Sequence, residues 1–199
     1  MCTLFVMMGS ALATPEEDYE KGYEAYHGRS DIFVAMNYFK KAADADHVEA
    51  MMLLAHILYR SNENKEALKW YERADTLGNV EATYNLGLMH MGGEGTKKDA
   101  QKGTDLIVKA ATNGNSNAMV QVARWYEGGA LGLTQSNKVA LSWLVKAIKL
   151  DNFSAMEILA DSYKTGRFGL KVNPKKAKTW DEKAVETRAS ELKKAGKKE

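Results

Sequence analysis

Proline is nearly absent from this chain: Pro15 and Pro174 are the only two among 199 residues. With no Pro- or Ser-rich linker after the N-terminus, nothing marks a domain boundary, and the length suits one domain with a sizeable core. Cysteine is scarcer still, and a lone Cys2 excludes a disulfide framework and a thiolate zinc site. Charge of one sign is also lacking. Lys and Arg number 28 against 26 Asp and Glu, a net charge of +2, and much of the basic excess sits at Lys193, Lys194, Lys197 and Lys198. A nucleic-acid partner needs a basic face to neutralise phosphates, and none recurs at helical spacing. No apolar run is long enough to cross a bilayer. The four histidines, His27, His47, His56 and His90, form no HExxH motif and no i, i+4 pair, and no Gly-x-Ser-x-Gly elbow occurs. Neither a metal site, nor a cofactor, nor serine-hydrolase chemistry is therefore signalled.

The first thirteen residues differ from the rest. Leu4-Phe5-Val6-Met7-Met8 is a short apolar run, and Ala11-Leu12-Ala13 fits the small-x-small cleavage pattern of a secretory signal. No Lys or Arg precedes the run, so residues 1–13 read as a signal peptide shortened at its N-terminal end. That reading predicts export to the periplasm or beyond the cell, the alternative being a frayed apolar N-terminus on a cytoplasmic protein, with a repeat domain over 14–187 and a charged tail over 188–199.

What the chain has in abundance is internal repetition. A small residue, a large apolar one three later, and then a Lys or Arg followed by Ala recur five times. The sets are Ala35-Tyr38-Lys41-Ala42, Ala67-Trp70-Arg73-Ala74, Gly103-Leu106-Lys109-Ala110, Ala140-Trp143-Lys146-Ala147 and Ala177-Trp180-Lys183-Ala184. Their first residues are spaced by 32, 36, 37 and 37. A period in this range, filled by two helices per unit, predicts an all-α fold, an α-solenoid of about five antiparallel helix pairs.

Helix boundaries follow from the punctuation. Thr14 with Pro15 and Glu17 gives an N-cap, a first-turn proline and a capping-box spacing. Gly78, Gly114, Asp46 and Asp151 are predicted to end helices in the left-handed conformation, and Asn79, Asn115 and Asn152 to cap the helices that follow. Asn173-Pro174 repeats the cap-and-proline start. The loops Gly92-Gly93-Glu94-Gly95, Gly128 to Gly132 and Gly166 to Gly169 stand in register, without a P-loop lysine or a preceding strand, so turn geometry accounts for them. Small residues mark where paired helices touch: Ala55, Gly87, Ala123 and Ala160 on first helices, Ala67, Gly103, Ala140 and Ala177 on second ones. Leu54, Leu86, Val122 and Leu159 form one filling column, and Trp70, Leu106, Trp143 and Trp180 are read as a second, buried one. Lys41, Arg73, Lys109, Lys146 and Lys183 are placed at the rim with their stems covered.

The pattern Ala-x3-Leu-Gly-x2-Tyr-x2-Gly, a Gly-rich loop, and then Lys-Ala-x2-Trp-x2-Lys-Ala-x3-Gly resembles the Sel1-like repeat, a relative of the tetratricopeptide repeat. Tyr126 and Tyr163 fill the Tyr column, which His90 and Leu58 occupy in the third and second units. The resemblance covers Val48 to Ala184, with a degenerate first unit ahead. It implies a right-handed superhelix whose first helices line the concave side, serving as a non-catalytic scaffold or adaptor for a protein or peptide partner. In bacteria, proteins that look like this act in envelope assembly, secretion and host contact. A cysteine-rich branch of the family is linked to β-lactam binding, but its repeated cysteines are missing here. The alternative is a cell-envelope hydrolase or small-ligand binder of that β-lactam-interacting type on the same solenoid, which a deep pocket with perturbed acids or histidines would favour.

Helical phase names the candidate groove. Counting from the first-helix alanines Ala50, Ala82, Ala118 and Ala155, positions two, six and nine further on point away from the second helix. They are Met52, His56 and Tyr59; Tyr84, Leu88 and Met91; Val120, Arg124 and Glu127; Glu157, Asp161 and Lys164. The first two units offer apolar and aromatic groups and the last two mostly charge. The expectation is a groove greasy in its N-terminal half and polar in its C-terminal half, accepting a segment with apolar and basic residues.

Overall fold

The computed structural model describes residues 13–28 and 31–195. Most of the signal-peptide reading, Cys2, Arg29 and Ser30 of the first turn, and Lys197 and Lys198 lie outside the described residues. Among the described residues ten α-helices follow one another: α1 (Pro15–His27), α2 (Ile32–Asp44), α3 (Val48–Arg60), α4 (Asn64–Thr76), α5 (Val80–Gly92), α6 (Ala100–Thr112), α7 (Ser116–Gly128), α8 (Asn137–Lys149), α9 (Phe153–Thr165) and α10 (Pro174–Ala195). A single 3-10 turn, Arg167–Gly169, precedes α10, and no strand occurs among the described residues. Each helix packs on its predecessor and successor in the chain. The result is a row of five antiparallel pairs, the predicted all-α solenoid.

The helices begin and end where the sequence says they should. Glu17 N–H donates to the Thr14 hydroxyl at 3.2 Å and Thr14 N–H to the Glu17 carboxylate at 3.1 Å, a complete capping box. Asn79, Asn115 and Asn152 each accept from the backbone N–H three residues on, at 2.7–2.9 Å. His47 does the same work ahead of α3 with its Nδ1, at 3.2 Å from Ala50 N. Its Nε2 meets Glu16 at 3.0 Å and its ring stacks on Tyr19 at 4.5 Å, so one side chain caps the second unit and ties it to the first. Gly78 and Gly114 sit at φ 85° and 103°, and Asp46 and Asp151 at 64° and 56°, which turns the chain from each second helix into the next first helix. α10 runs on through Ala195, into the stretch read as a tail, and its side chains from Arg188 to Lys194 are exposed.

The core forms two adjoining clusters, one from Ala25 to Met89 and one from Ile107 to Ala184. Leu54, Leu86, Val122 and Leu159 are buried as predicted, beside buried Ala55, Gly87, Ala123 and Ala160. The second-helix column differs from expectation. Trp70, Trp143 and Trp180 are only half-buried, whereas Phe39, Tyr71, Ile107 and Leu144, one residue further on, are fully covered or nearly so. Counted from the small residue that opens each set, positions zero, four and seven share one helical stripe, and position three lies at its edge. The edge aromatic then serves as a platform for the next cation. Lys41 lies over Tyr38 at 5.1 Å, Arg73 over Trp70 at 5.7 Å, Lys146 over Trp143 at 4.0 Å and Lys183 over Trp180 at 5.2 Å. Unit three has Leu106 in that place, and Lys109 reaches Asp75 instead, at 3.1 Å.

His90 occupies a Tyr-column position in which its side chain is 5% exposed, and its Nδ1 has no hydrogen-bond partner among the described residues. Burial first, then Lys102, lowers its pKa below the ordinary 6.5, against a smaller opposing pull from Asp99 and Glu72. The unfolded chain therefore takes up a proton near pH 6.5 that the folded chain refuses, so stability is lost as pH falls through 6.5. His90→Leu, which installs the side chain of Leu58 in the same column, is expected to flatten this slope. Chemical denaturation of both proteins at pH 7.5 and 5.5 measures it, and equal losses would contradict the assignment.

Candidate functional site

α3 and α5 are first helices of consecutive units, and between them lies a cleft of about 500 Å3. From α3 it takes Met52, Leu53, His56, Tyr59 and Arg60, and from α5 Glu81, Asn85, Leu88 and Met89. Tyr71 of α4 and Glu94 of the Gly-rich loop complete the lining. The loop is held against unit two on both its backbone and its side chains. The Tyr59 hydroxyl donates to Glu94 at 2.7 Å, and a Cβ on Gly95 would come within 2.9 Å of Lys65 N. At the other end, Asn115 uses its amide oxygen to cap α7 and its Nδ2 to donate to Glu81 at 2.5 Å. Glu81 is thus positioned by the unit that follows it.

The electrostatics of the cleft follow from these contacts. Tyr59 is held above its ordinary pKa chiefly by the hydrogen bond to Glu94, and then by burial. Burial pushes Tyr71 up to about 12, with the Glu81 charge adding to it. Tyr84 is raised by burial and by Glu81, with Arg124 pulling the other way. All three phenols remain protonated donors at neutral pH.

Of the predicted groove residues, Met52, His56, Tyr59 and Leu88 line this cleft together. Tyr84 and Met91 do not, because they pack against the C-terminal core cluster. Val120 is a correction: it is 6% exposed and belongs to that cluster, so it presents no surface to a partner. The cause is helical phase. Position two of each first helix turns toward the following unit, so its exposure depends on what that unit places there, whereas at position nine Met91 packs on Gly103 and Lys164 pairs with Asp181, each on the second helix of its own unit. Position six faces out, as exposed His56, Leu88 and Arg124 show. Glu157, at position two of α9, is exposed because no further first helix follows it among the described residues.

The polar half of the predicted groove is largely consumed by internal pairing. Arg167 donates to Glu127 through Nε at 2.7 Å and Nη2 at 2.6 Å, and to Asp161 through Nη1 at 3.2 Å. Its guanidinium is held well above its ordinary pKa, first by the bond to Glu127. Lys164 pairs with Asp181 at 2.8 Å. Only Arg124 and Glu157 of that half are exposed without an ion pair among the described residues.

Sequence reasoning missed Arg167, Glu81, Asn85 and Glu94. Asn85 lies at position three of α5, the same column as Leu53 on α3, and a phase window widened by one residue would have found both. Arg167 carries no periodic signal, since it comes from a loop. A second apolar depression, of about 700 Å3, runs along Ile32, Phe33, Met36, Leu54, Leu58 and Trp70, with Phe33 84% exposed. Among the described residues no group of three or more His, Cys, Asp or Glu side chains converges as a metal site, and no helix is long and apolar enough to cross a membrane.

The comparisons with known proteins concern the repeat. The Sel1 repeat matches five times, over residues 12–47, 48–79, 80–115, 116–152 and 154–186, so the first unit, degenerate by eye, is matched as well. No curated protein matches the chain. Among solved structures, a Sel1 repeat protein from Oxalobacter formigenes is similar at 27% identity and a TM-score of 0.78, over 86% of this chain and 73% of that one. A protective antigen of uropathogenic Escherichia coli with an SLR fold shares 24% identity at a TM-score of 0.67; 86% of this chain corresponds to 38% of the antigen. An immunity protein from Pseudomonas aeruginosa shows the same fold at 21% identity and a TM-score of 0.65, over 90% of this chain and 67% of that one. Sel1 repeats generally form scaffolds for protein–protein interaction. With five matched repeats spanning most of its length, the chain belongs to the Sel1 repeat family.

Proposed function

We propose that this protein is a non-catalytic interaction scaffold that holds a segment of a partner protein in the cleft between α3 and α5. The observation that carries the reading is an apolar cleft whose walls keep large side chains in solvent, with Leu88 40% and Tyr59 38% exposed. Isolated exposed apolar residues are ordinary, but a concave group of them with convergent polar atoms is the usual form of a recognition site. The test is recovery of partner protein by the wild type, by Leu88→Asp and by Val145→Asp, the last altering an exposed side chain on α8. Recovery is expected to fall at least about tenfold for Leu88→Asp, as for loss of a central anchor, and to hold for Val145→Asp. Equal recovery by all three would overturn the proposal. The cleft volume also supports a second reading, a small ligand in the same place. A thermal shift on adding a β-lactam, abolished by Leu88→Asp, would favour that reading over a protein partner.

Export belongs to the same proposal. Its support is the apolar run Leu4 to Met8 followed by Ala11-Leu12-Ala13. Protein isolated from a cell-envelope fraction is expected to begin at Thr14. A cytoplasmic protein that retains Leu4 to Met8 would contradict it.

A further inference from the structure

The two ends of the cleft carry different charge. Glu81 lies in the first turn of α5 and Glu94 just beyond its last turn, and the helix between Glu81 and Gly92 rises about 17 Å. Between them Met52, Leu53, Leu88 and Met89 supply an apolar floor. Near the Glu94 end, Arg60 also lines the cleft, and Tyr59 donates to the carboxylate. At the Glu81 end no Lys or Arg lines the cleft, and no cation pairs with Glu81 among the described residues. Its hydrogen bond comes from the neutral amide of Asn115. Its charge is felt by Tyr71 and Tyr84, whose pKa values it helps to raise, while Arg124 on α7 acts on Tyr84 in the opposite sense without pairing with Glu81. In the C-terminal half, by contrast, Glu127 and Asp161 already have Arg167.

We propose that the segment docking in this cleft carries a row of apolar side chains with a lysine or arginine at one end, and that this cation pairs with Glu81. The inference rests on the docking reading above and adds the partner's chemistry and its direction along the cleft. The basic feature expected from the sequence belongs in the greasy half of the groove. Glu81 is exposed, so its carboxylate acts on an approaching cation through solvent, and the pairing contributes orientation and on-rate more than affinity. The pairing also fixes which way round the segment lies, since the Arg60 end offers no equivalent excess of negative charge.

The experiment uses the full chain and a bead-displayed library of random dodecapeptides. Wild type is expected to retain sequences in which Leu, Met or Phe are followed at one end by Lys or Arg. Glu81→Gln keeps an acceptor for Asn115, so the fold should stand, and individual cation-bearing peptides should bind it about three- to fivefold more weakly. Apolar enrichment should persist in that variant, and Glu81→Lys should select Asp or Glu where wild type selects a cation. Leu88→Asp should retain none of these peptides. If all three Glu81 forms retain the same charge composition while Leu88→Asp loses the peptides, the cation pairing is wrong and the docking site stands. If no library peptide is retained, or Leu88→Asp retains the same set as wild type, the docking site falls with it.

Discussion

Phe39→Ala is expected to remove about 3–5 kcal/mol from the first helix pair, the cost of vacating a large buried side chain that its neighbours cannot refill. Phe39 has no exposed surface, and the space it fills exists because Gly22 opposite it lacks a side chain: a Cβ there would stand 2.7 Å from the phenyl ring. Tyr19 and Tyr26 flank the ring at 6.0 and 6.5 Å and cannot collapse into the void without leaving their own contacts. Because each pair contacts only its neighbours in the row, the damage should stay local. Native-state hydrogen exchange is expected to show protection lost in α1 and α2 and kept in α7 to α9. Tyr38→Ala, which removes a half-buried ring one residue away, should cost about 1 kcal/mol. Equal costs at the two positions, or a loss spread evenly along the chain, would contradict the packing described.

Gly103 gives the second large effect, and there the sign alone is informative. Alanine is favoured over glycine inside a helix by about 1 kcal/mol, so with room to spare Gly103→Ala would stabilise α6. Room is what this position lacks. A Cβ on Gly103 would lie 2.6 Å from the Gly87 carbonyl oxygen and 2.9 Å from Met91 N, and one on Gly87 would lie 3.0 Å from the Gly103 carbonyl oxygen. These are backbone atoms, so relief requires α5 and α6 to part. Gly103→Ala is expected to destabilise despite its propensity gain, and Gly103→Val to cost about 3 kcal/mol by overpacking. Gly128, with nothing within 4 Å of a built Cβ, is the control, and Gly128→Ala should be neutral or stabilising. Urea denaturation measures all three. Since α5 is one wall of the cleft, Gly103→Val should also reduce partner recovery, through displacement of Glu81, Asn85 and Leu88.

What the sequence revealed follows from which contacts are periodic. The caps at Thr14, Asn79, Asn115 and Asn152 and the left-handed stops at Asp46, Gly78, Gly114 and Asp151 are local signals, and all stand where expected. Small-residue columns are legible because two helices in contact impose the same demand in every unit. Side chains at the edge of a stripe are harder. Trp70, Trp143 and Trp180 look like core by size but lie one position short of it, with their faces beneath cations. Groove residues are harder again, because their exposure depends on the neighbouring unit. Position two is half-buried as Met52, half-buried as Tyr84, buried as Val120 and exposed as Glu157. Arg167 was invisible because a loop residue, free of any period, supplies the counter-charge that neutralises Glu127 and Asp161.

The central claim is that a partner sits between α3 and α5, and a photo-crosslinking amino acid placed at position 88, compared with one at position 145, tests it most directly. Both sites are exposed, but only the first lines the cleft. The account predicts a crosslinked partner from position 88, suppressed when Glu81 is also changed to Lys, and none from position 145. Crosslinking from position 145 with none from position 88 would contradict it.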